Sequence, residues 1–301
     1  MASTPASAER FLDMAERRRT TWTWFSRLRR HRFAFAGLIL LTAVTIMAIL
    51  APVLAPQDPQ AIRAADRLKS ASREHLLGTD YLGRDVASRL IYGSRISLGV
   101  GAATVVLCNL AGILVGLVSG YYRRVDNVLM RIMDAFMAFP GILLALGIMA
   151  VLGPSVINTV IALSIVYTPR VARVVRSSVL VIREMDYVTA GRALGLSDLR
   201  ILFRHVLPNS MAPIIVQATF IFAYAVIAEA SLSFLGVGSS PEVPSWGNML
   251  NEARQHMRRL PGLALYPGLA IMLTVLSLNL LGDGLRDVLD PHVRDDRGAG
   301  V

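Results

Sequence analysis

Long stretches of the chain carry no charged side chain, and they alternate with segments that hold the charges. A helix needs about 20 mostly apolar residues to cross the hydrocarbon core of a membrane. Five charge-free stretches meet this requirement: Ala34–Gln57, Ile96–Tyr122, Ala135–Pro169, Val206–Ala228 and Leu260–Gly282. The pattern therefore predicts membrane-spanning helices joined by polar segments.

The third stretch is too long for one crossing. Its 35 residues would extend about 52 Å as a helix, against a hydrocarbon core of about 30 Å. Gly153-Pro154-Ser155 lies near its middle and favours a tight turn there. Division at this turn predicts one helix from about Leu129 to Leu152 and the next from about Val156 to Val174. The chain is therefore predicted to have six transmembrane helices.

The composition agrees with this interpretation. Hydrophobic residues make up 54% of the chain and charged residues only 17%, whereas a soluble domain carries about 25% charged residues. The chain thus has too little charge to cover a surface exposed to water. We predict an all-α integral membrane protein, and the composition excludes disordered, collagen-like and disulfide-stabilised classes.

The positions of arginine and lysine predict the orientation, because basic residues accumulate on the cytoplasmic side. With a cytoplasmic N-terminus, segments 1–32, 123–134, 170–205 and 283–301 lie inside and hold 21 basic residues, against 10 in the segments predicted outside. The prediction is N-in/C-in, with residues 1–32 as a cytoplasmic tail and not a signal peptide. This asymmetry also accounts for the net charge of +10, so we expect no nucleic-acid partner.

The sequence lacks the chemistry that would power transport or catalysis. Its only lysine, Lys69, follows Leu68, so the chain has no phosphate-binding loop with a Gly-Lys-[Ser/Thr] core. Cys108 is the single cysteine and the five histidines lack ligand spacing, so we expect no metal, no cofactor and no catalytic residue. The only candidate carboxylate for ion coupling is Glu229, at the outer end of the fifth span, so no ion-coupling site is evident. Energy for transport would enter from another subunit.

Gly112, Gly116 and Gly120 recur every four residues on one face of the second span. Small residues at this spacing let two helix backbones approach closely in lipid. We favour a helix-packing seam here over a substrate-lining role.

Gln217, Phe220, Tyr224 and Glu229 are predicted to lie on roughly one side of the fifth span. A stripe of this kind either faces a passage or bonds to neighbouring helices. Both interpretations remain open at this point.

Two charged clusters lie outside the spans. Asp80, Arg84 and Asp85 lie in the outer segment between the first two spans. We expect them to bond within this segment and favour this over contacts with a partner protein. The second cluster follows the last span and consists of Asp283, Arg286, Asp287 and Asp290. We favour an Asp–Arg network that caps the final helix over a contact with a partner protein.

The longest inside loop, Arg170–Arg204, begins with three arginines at helical spacing, predicted to end the fourth span in the headgroup zone: Arg170, Arg173 and Arg176. Tyr187–Leu194 is predicted as a short helix that Gly195 ends. Ser197 or Asp198 is predicted to cap a second helix that runs through Phe203. The loop is either a compact knob suited to a partner's groove or an ordinary surface loop.

The sequence of this loop resembles the ATPase-coupling loop of ABC importer permeases. That family has Glu-Ala-Ala, three residues, Gly, nine residues and Ile-x-Leu-Pro. Here Tyr187-Val-Thr-Ala-Gly-Arg-Ala-Leu-Gly195 is followed after nine residues by His205-Val-Leu207-Pro208. Four positions match the family: Ala190, Gly195, Leu207 and Pro208. Three positions differ: Thr189 replaces Glu, Gly191 replaces the second Ala, and His205 replaces Ile.

Further stretches are similar to the dipeptide/oligopeptide/nickel branch of these permeases, in the smaller of its two permease subunits. Their order and spacing match along nearly the whole chain: Leu77–Asp85, Arg131–Asp134 with Phe139-Pro140, Phe234–Gly238, Pro244–Leu250 and Gly282–Pro291. The resemblance implies a type I ABC importer permease (MetI-like) fold. It also implies four segments: a cytoplasmic tail 1–32, a first helix with an external segment 33–93, a five-helix permease core 94–283 and a cytoplasmic tail 284–301.

The resemblance further implies a multi-pass permease of the bacterial inner membrane that carries di- or oligopeptides or a related small solute. Its implied partners are a second homologous permease, two cytoplasmic ATPase subunits that hold ATP and Mg²⁺, and an extracytoplasmic binding protein. The chain itself would not be an enzyme. The alternative, a secondary carrier or channel, would transport without any ATPase and would need an ion gradient.

Overall fold

The structure is a computed structural model that describes residues 31–289. This part of the chain is helical and contains no strand, only an isolated bridge between Thr79 and Asp85, which confirms the all-α prediction. The helices are α1 Arg32–Ile49, α2 Ala51–Leu54, α3 Val86–Tyr121, α4 Arg123–Met137, α5 Gly141–Leu152, α6 Val156–Ile182, α7 Asp186–Ala193, α8 Asp198–Ile201, α9 Leu207–Asn209, α10 Met211–Phe234, α11 Trp246–Ala253 and α12 Gly262–Leu289. Almost all of the tail 1–32 and residues 290–301 lie outside the described residues.

Four helices are long and apolar enough to cross a membrane: α1, α3, α10 and α12. The bent pair α4 and α5 raises the number to five if it is one broken span. Helix α6 is 27 residues long but is not among these candidates, and its second half carries Arg170, Arg173 and Arg176. The described helices therefore give four to five candidate spans, and the count of six stays a prediction.

The predicted single helix from about Leu129 to Leu152 is wrong. The structure divides this region into α4 and α5, whose axes meet at 89°. The cause is Phe139-Pro140, because the residue before a proline avoids the helical region and proline itself donates no backbone hydrogen bond. The predicted turn after α5 is confirmed, since Gly153 ends that helix with φ of 81°.

Helices α3 and α6 form the centre of the bundle, and apolar side chains of both lie in the main core cluster. Helix α3 is 36 residues long, which corresponds to about 54 Å. One end of α3 adjoins residues 58–85 and α11, through bonds from Arg84 to Glu252. We call this the charged end. The other end adjoins residues 183–210, through bonds from Tyr121 to Asp198. We call this the knob end.

Candidate functional site

The segment between α6 and α10 folds into a compact knob, residues 183–210. The sequence-predicted coupling residues are distributed along it, on α7, in the following turn and on α9: Tyr187, Thr189, Ala190, Gly191, Gly195, Leu207 and Pro208. Val188 and Ile201 are fully buried, so the knob has its own small core. Leu194 and Leu199 point outward and are 82% and 66% exposed. The knob thus presents apolar side chains on a supported surface.

The turn after α7 depends on Gly195. Its φ is 76°, a left-handed conformation that side chains with a Cβ rarely adopt. The Leu196 N–H donates to the Gly191 carbonyl at 3.1 Å and the Gly195 N–H donates to the Arg192 carbonyl at 2.9 Å. This pattern satisfies carbonyl groups at the end of α7 and reverses the chain direction.

The predicted side-chain cap of the second helix is wrong. Ser197 occupies the cap position of α8 but makes no side-chain capping bond. The carboxylate of Asp198 instead accepts hydrogen bonds from Tyr121 Oη at 2.7 Å and Tyr122 Oη at 3.3 Å. The Arg192 guanidinium lies 5.1 Å from the centre of the Tyr121 ring. These contacts attach the knob to the end of α3, and sequence reasoning missed them because the tyrosines look like the plain end of an apolar span.

The second helix of the knob also continues differently from the prediction. After α8 the chain forms a π-helical turn, Leu202–Val206, before α9. In an α-helix Pro208 would leave the Arg204 carbonyl without a donor, because proline has no N–H. Here the Leu207 N–H donates to the Leu202 carbonyl, five residues back, which is the bond of the wider π-helical turn.

Two of the three arginines predicted to lie in the headgroup zone pair with carboxylates of α4. Arg176 contacts Asp126 through two hydrogen bonds of 2.6 Å, the bidentate geometry that favours Arg–carboxylate pairs. Arg173 Nη2 lies 2.8 Å from Asp134 Oδ1 in a more exposed pair. Arg170 instead lies between aromatic rings, as described below.

The three glycines predicted to form a packing seam lie against α6. A Cβ built on each glycine would come within 2.5 to 2.6 Å of a valine Cβ, in the pairs Gly112 with Val171, Gly116 with Val175 and Gly120 with Val179. Arg183 Nη1 donates to the Gly120 carbonyl at 2.7 Å, at the knob end of the same contact. The backbones of α3 and α6 can approach this closely because the glycines lack side chains.

Of the three residues predicted to line a passage, two border the same cavity and the third lies nearby. Gln217 and Phe220 border a cavity of about 400 Å³ between α6, α10 and α12, and its other lining residues are Val174, Ala212, Pro213, Val216, Arg286 and Leu289. Tyr224 lies one turn further along α10 and is 49% exposed. The Arg170 guanidinium lies 5.2 Å from the centre of the Tyr224 ring and 5.4 Å from that of Tyr167.

Glu229 does not share this face, so its place in the predicted stripe is wrong. It is fully buried and accepts hydrogen bonds from Ser97 Oγ at 3.0 Å and Ser233 Oγ at 2.9 Å. The reason is helical geometry, since five residues separate it from Tyr224 and turn it about 140° away. Glu229 belongs to a buried polar network that joins α3, α10 and α11.

The acidic–basic cluster of the outer segment bonds within the chain. Arg84 Nε donates to Asp80 at 2.6 Å and Arg84 Nη2 donates to Glu252 on α11 at 2.7 Å. Asp85 caps α3 through the Ser88 N–H at 2.8 Å. Burial disfavours the charge on Arg84, but the carboxylates of Glu252 and Asp80 outweigh it, so the pKa of Arg84 is raised above its ordinary value.

The predicted Asp–Arg network after the last span is not formed within residues 31–289. Asp287 lies 3.5 Å from His31, and Arg286 borders the cavity beside Gln217. No ion pair joins Asp283 to Arg286 in this part of the chain. Asp290 lies outside the described residues.

Fold and relatives together define the class of protein, an ABC importer permease. The fold matches a solved methionine ABC transporter with a TM-score of 0.56 at 16% identity, over 67% of this chain and 96% of that one. Residues 109–295 match the family described as the binding-protein-dependent transport system inner membrane component, and residues 20–71 match the N-terminal transmembrane domain of oligopeptide transport permease C.

Two curated relatives cover nearly the whole chain. A dipeptide transport system permease protein of Alkalihalophilus pseudofirmus is 45% identical over 90% of this chain and 89% of its own length. A glutathione transport system permease protein of Pectobacterium atrosepticum is 45% identical over 92% of this chain and 93% of its own length. The chain belongs to the binding-protein-dependent transport system inner membrane component family, in its dipeptide/oligopeptide branch. It is a multi-pass inner-membrane permease.

Proposed function

We propose that the chain is a six-helix permease with both termini in the cytoplasm that imports di- or oligopeptides or a related small solute. An extracytoplasmic binding protein delivers the solute, and a second homologous permease completes the passage. Two separate cytoplasmic ATPase subunits bind ATP and Mg²⁺ and supply the energy. Residues 94–283 form the permease core, preceded by the tail 1–32 and segment 33–93 and followed by the tail 284–301.

The arrangement of loops supports this topology. Residues 58–85 and α11 share the charged end of α3, while the knob and the start of α4 share the knob end. These are the same groupings that the distribution of basic residues requires. The excess of basic residues on the knob side supports a cytoplasmic position for the knob.

The observation that carries the proposal is the surface of the knob. Leu194, Leu199 and Phe203 are 82%, 66% and 54% exposed, although the knob has a buried core that could have covered them. Supported apolar side chains on a small projection are typical of a contact surface for a partner. On the cytoplasmic side, the partner that fits an ABC permease is an ATPase subunit.

A rigid connection from the knob to the spans is also required, because the ATPases act at a distance from the passage. The knob continues directly from α6 and is bonded to the end of α3 by Tyr121 and Asp198. The glycine contacts hold α3 and α6 together over at least two helical turns. A displacement of the knob would therefore move both helices as one unit.

The relatives guide the choice of substrate. One is named a dipeptide transport permease and the other a glutathione transport permease, and both names describe small peptides. The cavity of about 400 Å³ beside Gln217 and Phe220 falls within the range of about 300 to 1,000 Å³ found for small-molecule pockets. We therefore propose small peptides as the substrate class.

The test is reconstitution of the chain with its second permease, two ATPases and binding protein in proteoliposomes, with import of alanylalanine and glutathione measured. We expect import that needs ATP. Leu194→Asp should lower peptide-stimulated ATP hydrolysis by about tenfold or more, as expected when a central apolar contact is lost.

The matched control is Leu76→Asp, which changes an apolar side chain of the outer segment that is 62% exposed. It should leave stimulated ATP hydrolysis near the wild-type rate. Import that persists without the ATPases and follows an imposed ion gradient would contradict the proposal and favour a secondary carrier. Equal effects of the two Asp substitutions would contradict the assignment of the knob.

A further inference from the structure

Arg170 is the one arginine in the second half of α6 that has no carboxylate partner within residues 31–289. The other two each have one, since Arg173 pairs with Asp134 and Arg176 with Asp126. Helical spacing places Arg170 one turn before Arg173, on the side of α6 that faces α10. Its side chain is exposed in the isolated chain, so the surface it faces is either lipid, a partner or a water-filled passage.

The guanidinium is held in place by aromatic rings. It lies 5.4 Å from the centre of the Tyr167 ring and 5.2 Å from the centre of the Tyr224 ring, within the range of cation–π attraction. Tyr167 Oη donates to the Tyr224 carbonyl at 3.3 Å, which joins the two ring-bearing helices. The rings position the cation while leaving its N–H groups available for an oxygen ligand.

The position of this group along α10 makes lipid an unsuitable neighbour. Tyr224 lies about 15 Å from the Phe234 end of α10 and about 20 Å from the Met211 end. Arg170 beside it is therefore level with the middle of α10, a helix long and apolar enough to cross a membrane. Charged side chains at this depth face a water-filled cavity or a partner, and they mark functional sites.

The cavity beside Gln217 and Phe220 begins one helical turn from Arg170 and Tyr224. Val174 follows Arg170 by one turn on α6, and Phe220 precedes Tyr224 by one turn on α10, and both line that cavity. Its walls are mostly apolar, with Gln217 and Arg286 as the polar lining groups. A small solute in this cavity would have a polar end within reach of Arg170.

We propose that Arg170, held between Tyr167 and Tyr224, is a binding site for the carboxylate of the transported solute. The planar guanidinium matches a carboxylate through two parallel hydrogen bonds, and an unmodified peptide ends in that group. Gln217 and the apolar wall would contact the rest of the solute. The inference rests on the proposed import of small peptides and adds the group by which this chain recognises them.

The experiment compares ATP-driven import of alanylalanine with import of its C-terminal amide, in proteoliposomes that contain the whole complex. The same binding protein is present throughout, so its own preference cancels when variants are compared. Arg170→Gln should reduce the preference for the acid over the amide by about tenfold, the effect expected for a lost charged hydrogen bond. Arg170→Lys should retain part of the preference.

Arg173→Gln is the matched control. It removes the same charge one helical turn from Arg170, but from a residue that already pairs with Asp134. It should keep the wild-type preference. If the Arg170→Gln complex does not assemble, Tyr224→Leu serves instead, because it removes one of the two rings that position the cation. It should reduce the preference in the same direction.

Several results would overturn the inference. An unchanged preference in Arg170→Gln, or in Tyr224→Leu where that variant replaces it, would show that the cation does not meet the carboxylate. An equal fall in import of acid and amide would assign Arg170 to an ion pair with the second permease. Absence of ATP-driven import of either probe by the wild-type complex would contradict the proposed function itself, and with it this inference.

Discussion

The two ends of α3 are built in different ways. At the charged end, polar groups are buried and bonded to one another: Arg89 is 1% exposed and Trp246 and Glu229 are fully buried. At the knob end, residues 183–210 bury only two polar side chains, Arg183 and Ser210, and apolar side chains such as Leu194 point outward. The charged end bonds its arginines to carboxylates of the same chain, although Arg89 Nη1 makes no hydrogen bond. The knob end leaves a surface suited to a partner.

This difference indicates where the chain is rigid and where it depends on other subunits. Glu252 connects Arg84 and Arg89, so residues of the outer segment and of α11 form one unit with the start of α3. The knob is joined to α3 mainly through Tyr121 and Asp198, a partly exposed pair. Substitutions at the charged end should therefore affect folding, and substitutions on the knob should affect coupling.

The largest expected effect comes from Glu252→Ala. Its carboxylate accepts hydrogen bonds from Arg84 at 2.7 Å and from Arg89 at 3.0 Å, so its removal leaves two guanidinium groups with less compensation in a buried site. Loss of one partner of a buried ion pair costs about 3–5 kcal/mol. The measurement is the free energy of unfolding of the purified protein in detergent, followed by circular dichroism in denaturant.

Glu184→Ala is the control for this prediction. Glu184 also pairs with an arginine, Arg183, but it lies at the knob end and its side chain is 68% exposed. Exposed pairs contribute about 0–1 kcal/mol. Similar losses of stability in the two variants would remove the distinction between the two ends.

The next largest effect concerns the contact between α3 and α6, which connects the charged end to the knob end. Gly116→Leu places a side chain where even a Cβ would lie 2.5 Å from Val175 Cβ and 2.7 Å from the Ala172 carbonyl. The overlap should separate α3 from α6 and lower stability by about 1–3 kcal/mol or more. It should also lower the yield of assembled complex, measured by size-exclusion chromatography.

Gly147→Leu is the matched control, because a Cβ built on Gly147 in α5 meets nothing within 4 Å. Both variants add the same apolar volume to a span. An unchanged complex yield for Gly116→Leu would show that these glycines do not hold α3 against α6.

Hydropathy was sufficient to predict the helical class, the turn at Gly153 and the short helix before Gly195. These features depend on local pattern and on backbone preferences, which a sequence displays directly. Phe139-Pro140 was visible too, but the prediction treated the charge-free stretch as continuous and missed the 89° bend. The preference of the residue before proline for extended backbone is the signal that could have found it.

Contacts between residues far apart in the sequence were harder to predict. Asp198 looked like a helix cap, since nothing in the sequence shows that two tyrosines 76 and 77 positions earlier lie beside it. Glu229 was placed on the same side of the fifth span as Tyr224 by an approximate reading of helical spacing, although five positions turn it away from Tyr224. Arg170 looked like an ordinary charged end of a span until its neighbours on α10 were known. Such pairings depend on how the helices pack.

The smallest expected effect concerns two serines, each at the N-terminal cap position of a short helix. Ser245 caps α11 at the charged end: its Oγ accepts from the Asn248 N–H at 3.2 Å and from Ser239 Oγ at 3.3 Å, and the residue is fully buried. Ser197 occupies the cap position of α8 on the knob, but its side chain makes no capping hydrogen bond. Ser245→Ala should lower the free energy of unfolding by about 0.5–2 kcal/mol, while Ser197→Ala should change it by less than about 0.5 kcal/mol. Both values follow from denaturant unfolding under the same conditions. A loss for Ser197→Ala as large as that for Ser245→Ala would mean that the knob, like the charged end, relies on polar bonds within the chain.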